Sequence, residues 1–291
     1  MGGDDTLNGQ ENNDFLYGGT ENDILVGRLG NDLLSGDEGE DTMTGGPGDD
    51  GYGVDNYKDV VVELENEGLD TVYSFIQSYT LPLWVERLVL IDSTLVQARQ
   101  TGWGNELDNR MEGNSKDNAL YGRSGADFLI GGAGNDYLDS GFDADQVYGG
   151  PGDDTLVNPG GSDALFGEDG NDIFNNSAAR GELVFMFLGA GNNDARGSAS
   201  NDHFIGGSGT LSNKYRIDGY SNWFGRDVIQ FFHPETDKLY IGRWFNYDWD
   251  NVIVKVDGLD LILARDDDNY VRLVGVSLQS LKDNHSVADL F

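Results

Sequence analysis

An Asp or Asn residue returns every nine positions through two long stretches of this chain, and this period constrains the fold more strongly than any other sequence feature. The first stretch carries Asp5, Asp14, Asp23, Asp32, Asp41 and Asp50, and the second carries Asn109, Asn118, Asp127, Asp136, Asp145, Asp154, Asp163 and Asp172. An apolar side chain follows two residues after each of these fourteen positions. A fixed period of this kind indicates stacked structural repeats.

Each nine-residue unit divides into a Gly-rich turn and a short strand. The clearest examples are residues 131–139, with the sequence GGAGNDYLD, and residues 149–157, with the sequence GGPGDDTLV. The last three residues predict a strand whose central apolar side chain points inward. The first six predict a turn in which Gly adopts backbone angles that strain other residues. Two units would then form one coil of a flattened parallel roll, with every second unit stacked on the same edge.

These units match the pattern G-G-x-G-x-D-x-U-x, where U is a large apolar residue, and the chain resembles the RTX (repeats-in-toxin) family of type I secreted bacterial proteins. The resemblance covers residues 2–53 and 104–175 by strict spacing. It implies an all-β fold: a right-handed parallel β-roll (β-solenoid) in two calcium-binding blocks, joined by a β connector and followed by a β-rich C-terminal cap.

Five segments are expected on this basis. They are a first β-roll block at 1–55, a connector without calcium at 56–103, a second β-roll block at 104–176, degenerate repeats at 177–209 and a C-terminal β cap at 210–291. Strands in the connector are predicted at 60–62, 70–75 and 84–90 from their β-branched and alternating residues. The cap is expected to hold five strands and a short helix at 277–282.

Asp carboxylates and Gly carbonyls from stacked turns would converge as all-oxygen cages, which suit several Ca²⁺ ions. The predicted ligands in the first block are Asp5, Asp14, Asp23, Asp32, Asp41, Asp50, Gly30, Gly39 and Gly48. Those in the second block are Gly125, Asp127, Gly132, Gly134, Asp136, Asp143, Asp145, Gly150, Gly152, Asp154, Gly161, Asp163, Gly170 and Asp172. Residues 104–121 are interpreted as rungs, that is, nine-residue units of the stack, without good calcium sites. In these two units Asn109 and Asn118 replace the Asp, and Leu107 and Lys116 replace the Gly of the fourth position.

The composition agrees with a cation-dependent fold. The formal net charge is −34, so the bare chain would repel itself, and binding to nucleic acid or to an anionic membrane surface is not expected. The absence of Cys excludes disulfides and Cys-based metal sites. No membrane insertion is expected either, because the most apolar stretch, residues 81–91, is short and contains Glu86 and Arg87.

The sequence contains no catalytic motif that we recognise, so no catalysis is expected within these residues. His203, His233 and His285 are outside any His-Glu-x-x-His motif, and neither a Gly-x-Ser-x-Gly elbow nor a P-loop occurs. The resemblance implies a secreted, extracellular bacterial protein that folds on Ca²⁺ and has a structural or interaction role. It also implies type I secretion machinery as a partner through a C-terminal signal, for which Asp289, Leu290 and Phe291 are the candidate residues.

Two alternatives stay open at the level of sequence. The repeats begin at the first residues, so the chain could be the C-terminal RTX portion of a larger secreted enzyme such as a protease, lipase or alginate epimerase. It could also be a carbohydrate-binding surface protein, with polysaccharide stacked on the aromatic cluster of Trp244, Phe245, Tyr247 and Trp249. Such residues more often cap the open end of a solenoid.

Overall fold

The computed structural model describes residues 2–94, 96, 98–178, 182–207, 212–217, 226–241, 253–257, 260–264 and 270–276. These residues form strands and turns, and no helix occurs among them. They divide into two compact units, Met1–Ala133 and Gly134–Phe291. The predicted segment boundaries at 55, 103, 176 and 209 stay predictions. The predicted helix, the aromatic cluster and the three C-terminal residues lie outside the described residues.

The first unit is a stack of parallel strands in which each strand pairs with the strand two places further along the chain. Its strands are β1 (Thr6–Glu11), β2 (Phe15–Thr20), β3 (Ile24–Leu29), β4 (Leu33–Glu38), β5 (Thr42–Thr44), β6 (Gly51–Val54), β7 (Val60–Val62), β8 (Thr71–Ser74), β9 (Ser78–Thr80), β10 (Arg87–Leu90), β11 (Gln100–Trp103), β12 (Arg110–Glu112), β13 (Asn118–Tyr121) and β14 (Phe128–Ile130). They form the sheets β1-β3-β5-β7, β2-β4-β6-β8-β10-β12-β14 and β9-β11-β13. In the repeats this pairing joins residues 18 apart, as in Leu7 with Leu25 and Leu25 with Met43.

The second unit continues the same construction and ends in a short antiparallel meander. Its strands are β15 (Tyr137–Asp139), β16 (Gln146–Pro151), β17 (Thr155–Asn158), β18 (Ala164–Asp169), β19 (Ile173–Asn176), β20 (Leu183–Phe187), β21 (Asp194–Arg196), β22 (Asn201–Ile205), β23 (Lys214–Ile217), β24 (Arg226–Gln230), β25 (Lys238–Ile241), β26 (Ile253–Asp257), β27 (Asp260–Ala264) and β28 (Tyr270–Leu273). One sheet contains β15-β17-β19-β21-β23-β25, and the other runs β16-β18-β20-β22-β24-β28-β27-β26. Among the strand pairs of the described residues, β26 with β27 and β27 with β28 are antiparallel. The all-β parallel roll predicted from the repeats is confirmed.

The core is a ladder of the apolar residues that stand two positions after each repeat Asp. Leu25, Leu34 and Met43 in the first unit are fully buried, as are Leu156 and Leu165 in the second. The flanking side chains alternate outward, so Ile24 is 49% exposed beside the buried Leu25. Only stacking buries this ladder, since a single rung has no neighbour above or below it to cover its apolar residue.

Six of the repeat strands are twice as long as the three residues predicted: β1 to β4, β16 and β18 each have six. The strand pairing skips the first turn residue, Gly9 in β1, and continues with the next two. Asn8 pairs with Val26, and Gln10 then pairs with Arg28. The second turn residue adopts a positive φ, 83° at both Gln10 and Arg28. The prediction was wrong here because this kink, similar to a β-bulge, lets the strand continue into the turn.

None of the described residues belongs to a helix that is long and apolar enough to cross a membrane.

The buried ladder gives a direct test of the fold. Replacing Leu25 by Ala should lower the free energy of unfolding by about 2–5 kcal/mol, because it leaves a cavity between two stacked rungs. Chemical denaturation in the presence of calcium measures this. The matched control is Ile24→Ala on the same strand, which should change stability by about 0.5 kcal/mol or less because its side chain is half exposed. Equal effects of the two substitutions would contradict the assigned inward and outward faces.

Candidate metal centre

The repeat Asp residues form two columns along the turns of the first unit. In each column, one carboxylate oxygen accepts the backbone N–H of the Asp 18 residues earlier. Asp14 N–H donates to Asp32 Oδ1 at 2.7 Å, and Asp32 N–H donates to Asp50 Oδ1 at 2.6 Å. In the other column Asp23 N–H donates to Asp41 Oδ1 at 2.7 Å. These hydrogen bonds, with that from Asp5 N–H to Asp23 Oδ1, fix the orientation of the carboxylates of Asp23, Asp32, Asp41 and Asp50.

The second oxygen of each carboxylate is buried and accepts no hydrogen bond. This holds for Oδ2 of all six repeat Asp residues of the first block: Asp5, Asp14, Asp23, Asp32, Asp41 and Asp50. Burying an ionised carboxylate without a donor or a cation is strongly unfavourable. A column of such oxygens therefore requires positive charge that the hydrogen bonds among these Asp residues do not supply.

A glycine carbonyl from the next turn lies beside the Oδ2 atoms of Asp14, Asp23 and Asp32. A Cβ atom added to Gly9 would lie 2.7 Å from Asp14 Oδ2 and 2.9 Å from the carbonyl oxygen of Gly27. A Cβ atom on Gly18 would overlap Asp23 Oδ2 and lie 2.7 Å from the carbonyl oxygen of Gly36. The space that a side chain would fill is thus bordered by oxygen atoms, and carboxylate and carbonyl oxygens are the ligands that Ca²⁺ prefers. The residues present fit a hard divalent cation.

The fourth-position glycines that were predicted as ligands stack in a separate row. A Cβ atom on Gly30 would overlap the carbonyl oxygen of Asn12, and one on Gly48 would overlap that of Gly30, where φ is +147° at Gly48. Gly39 and Gly125 approach Glu21 and Leu107 in the same way. Close stacking of consecutive turns therefore leaves no room for a side chain at Gly30, Gly39, Gly48 and Gly125. Asn12 and Glu21 nevertheless adopt the left-handed backbone there, with φ of 75° and 77°.

The same arrangement recurs in the second unit. Asp136 N–H donates to Asp154 Oδ1 at 2.8 Å, Asp154 N–H donates to Asp172 Oδ1 at 3.0 Å, and Asp145 N–H donates to Asp163 Oδ1 at 2.9 Å. Asp172 Oδ2 is buried without a hydrogen-bond partner. Asp163 differs, because its Oδ2 accepts the hydroxyl of Ser140 at 3.3 Å.

The remaining predicted ligands of the second block lie in the turns. Gly132, Gly134 and Gly150 have positive φ, as do the fourth-position residues Gly152, Gly161 and Gly170, whose added Cβ atoms would overlap carbonyl oxygens of the preceding turn. Asp143 is exposed, and its carbonyl oxygen is the one that faces Gly161. The structure thus brings the column Asp residues together with first-position glycines, whereas it gives the other turn glycines a stacking role.

The two Asn rungs satisfy their own polar atoms. Asn109 Oδ1 accepts the N–H of Asn105 at 2.7 Å, and Asn109 Nδ2 donates to Asn105 Oδ1 at 3.1 Å. Asn118 Oδ1 likewise accepts the N–H of Asn114 at 2.6 Å, and its Nδ2 donates to Asn114 Oδ1 at 3.2 Å. This supports the interpretation of residues 104–121 as rungs that stack without calcium.

The sequence analysis missed two further series of residues that stack from turn to turn. The first series is the glycine at the first position of each nine-residue unit, as at Gly9, Gly18 and Gly27. The second series is the Asn or Asp that stands one position before the repeat Asp. Asn31 N–H donates to Asn13 Oδ1 at 2.9 Å, and the N–H of Asp49 donates to Asn31 Oδ1 at 3.1 Å. The signal for both was available, because Gly and Asn or Asp recur at these positions with the same nine-residue period.

Burial raises the pKa of Asp41, Asp50, Asp163 and Asp172 in the absence of cations. It raises the pKa of Asp50 to about 7, with the negative charges of Asp32 and Asp70 adding to the shift. Burial likewise raises the pKa of Asp163 and that of Asp172 to about 7. The metal-free fold therefore holds these groups partly protonated near neutral pH, where the unfolded chain would hold them ionised.

Comparison with known proteins places the repeats in context. The family model of the RTX calcium-binding nonapeptide repeat matches residues 1–25, 17–52, 103–138, 121–156, 160–178 and 187–210, which together make up just over half of the chain. No curated protein is significantly similar to the chain. Among solved structures, the crystal structure of extracellular lipase LipA from Serratia marcescens is similar, at 17% sequence identity and a TM-score of 0.21. The match covers 76% of this chain and 45% of the lipase chain, so the chain spans less than half of the length of that lipase.

The raised pKa values predict that protons partly replace cations. In metal-free buffer, lowering the pH from about 8 to about 5 should increase the β-sheet signal in far-UV circular dichroism. The reason is that the folded state then binds more protons than the unfolded state, between the ordinary carboxyl pKa near 4 and the raised value near 7. The calcium-loaded protein at the higher pH provides the reference for complete folding. Loss of β signal on acidification would contradict the prediction.

Proposed function

The chain belongs to the RTX calcium-binding nonapeptide repeat family, and we propose that it is a secreted protein or module that folds on extracellular Ca²⁺ after type I secretion. Its role is then structural or in interaction with other molecules, without catalysis of its own. The observation that carries this proposal is the column of buried Asp Oδ2 atoms that accept no hydrogen bond.

Several Ca²⁺ ions would be held along the turns. The proposed ligands in the first block are the carboxylates of Asp5, Asp14, Asp23, Asp32, Asp41 and Asp50, together with carbonyl oxygens of the turn glycines. The second block would use the carboxylates of Asp127, Asp136, Asp145, Asp154, Asp163 and Asp172 in the same way. Bound Ca²⁺ supplies the positive charge that each buried carboxylate needs and crosslinks consecutive turns.

Ion binding and core formation are coupled in this arrangement. The carboxylate of Asp32 and the buried side chain of Leu34 belong to the same unit, so a turn that is held open by repulsion also displaces its rung. A net charge of −34 opposes compaction until cations bind. Binding free energy is then folding free energy, as in other metal-dependent small folds.

This coupling suits export of an unfolded chain. Where free calcium is low, the chain would stay extended and could pass through a secretion channel. Outside the cell, Ca²⁺ at the levels that extracellular modules use, about 10⁻⁴–10⁻³ M, would fold it and oppose backsliding. The proposed secretion signal, Asp289–Phe291, and the proposed polysaccharide-binding cluster at 244–249 lie outside the described residues and stay predictions.

A calcium titration tests the folding switch. Metal-free protein should gain β-sheet signal cooperatively in far-UV circular dichroism as Ca²⁺ is added, and little as Mg²⁺ is added, because Mg²⁺ demands a smaller octahedral cage and loses its water reluctantly. A chain that is equally folded in chelator and in calcium would rule the proposal out.

One matched pair of variants locates the effect in the column. Asp32→Asn should shift the transition to higher Ca²⁺ concentration, because it removes a buried ligand charge. Asp49→Asn removes the same charge from an exposed residue, and Asn at this position keeps the ladder hydrogen bond that Asn31 makes in the preceding turn. It should leave the transition nearly unchanged. Equal shifts would mean that total charge, rather than the column, sets the calcium dependence.

A further inference from the structure

Three buried acids meet where the first block joins the segment without nonapeptides. Asp50, Glu63 and Asp70 are only 2%, 6% and 0% exposed. One carboxylate oxygen from each lies within 4.8 Å of the others. Glu63 follows strand β7 and Asp70 precedes strand β8, so three separate turns of the chain contribute to this cluster. Asp70 stands outside the nine-residue period, and Glu63 stands 18 residues after Gly45, where the repeats have glycine, so the sequence predicted neither residue as a calcium ligand.

Hydrogen bonds orient one oxygen of each carboxylate and leave the other without a partner. Asp50 Oδ1 accepts the N–H of Asp32 at 2.6 Å, Asp70 Oδ1 accepts the N–H of Asp50 at 2.8 Å, and Glu63 Oε1 accepts the hydroxyl of Tyr52. The second oxygens, Asp50 Oδ2, Asp70 Oδ2 and Glu63 Oε2, are buried and accept no hydrogen bond. This observation is independent of the clustering, and it repeats the pattern of the Asp columns.

The charges that surround the cluster are negative. Burial raises the pKa of Glu63 to about 9, and the carboxylates of Asp70, Asp50 and Glu67 add to that shift. Burial and the negative charge of Glu86 likewise raise the pKa of Asp70. Three carboxylates in this position are stable together only if they are protonated or if they share a cation.

We propose that Asp50, Glu63 and Asp70 hold one further divalent cation, which the all-oxygen ligand set identifies as Ca²⁺. The Tyr52 hydroxyl holds Glu63 in place as a ligand. Asp70 takes over the hydrogen bond that the next column Asp would make, at a spacing of 20 residues instead of 18. The ion ties the connector to the last turn of the first block. This goes beyond the proposed function, because two of its three ligands lie outside the repeats.

The test counts bound calcium on the full chain. Equilibrium dialysis against saturating Ca²⁺, followed by atomic absorption, should find one ion fewer per chain in Glu63→Gln than in the unmodified protein. Gln keeps an oxygen that accepts the Tyr52 hydroxyl, so the fold should persist, which circular dichroism checks. The matched control is Glu65→Gln, an exposed neighbour that should leave the ion count unchanged.

Asp70→Asn provides a second, independent variant, because its Oδ1 can still accept the Asp50 N–H. It should lose the same single ion. An unchanged number of bound Ca²⁺ ions in both folded variants would overturn the proposal. The three carboxyl groups would then be stabilised by protonation instead. That failure is distinct from failure of the folding switch, which would appear as a calcium-independent β signal in the unmodified protein.

Discussion

The structure depends on one unfavourable arrangement: carboxylate oxygens that are buried in a column with no hydrogen-bond donor. In the first block, Asp23, Asp32, Asp41 and Asp50 each use one oxygen to accept a backbone N–H from the turn 18 residues earlier, and the other oxygen is buried and accepts no hydrogen bond. Removing ionised carboxylates from water without compensation costs more than the ladder of buried Leu side chains can offset rung by rung. Stacking of the Asp-containing turns therefore requires a cation or a proton at these oxygens, and the apolar core requires stacked turns.

The sequence was sufficient for the fold because one period specifies both faces of the roll. Leu25, Leu34 and Met43 are buried because each stands two residues after an Asp whose turn stacks on its neighbour. Strand length was predicted less well, since the kink at Gln10 and Arg28 depends on backbone conformation in the turn rather than on side-chain pattern.

The candidate site was predicted only in part. The column Asp residues could be found because their spacing is regular, and the first-position glycines could have been found in the same way. Asp70 could not, because its spacing of 20 residues from Asp50 departs from the period. Glu63 was missed because it keeps the 18-residue spacing from Gly45 but replaces the glycine of that position by an acid.

The Asn rungs show what the Asp residues add. Asn109 and Asn118 support stacked turns with every side-chain polar atom hydrogen-bonded within the chain, so stacking itself needs no ion. A roll with Asn at every repeat position would therefore need no cation to fold. Asp23, Asp32, Asp41 and Asp50 instead accept the N–H of the residue 18 positions earlier, and the second oxygen of each is buried and accepts no hydrogen bond. Under the proposed function, the Asp residues at twelve of the fourteen repeat positions would therefore make folding conditional on the surrounding solution.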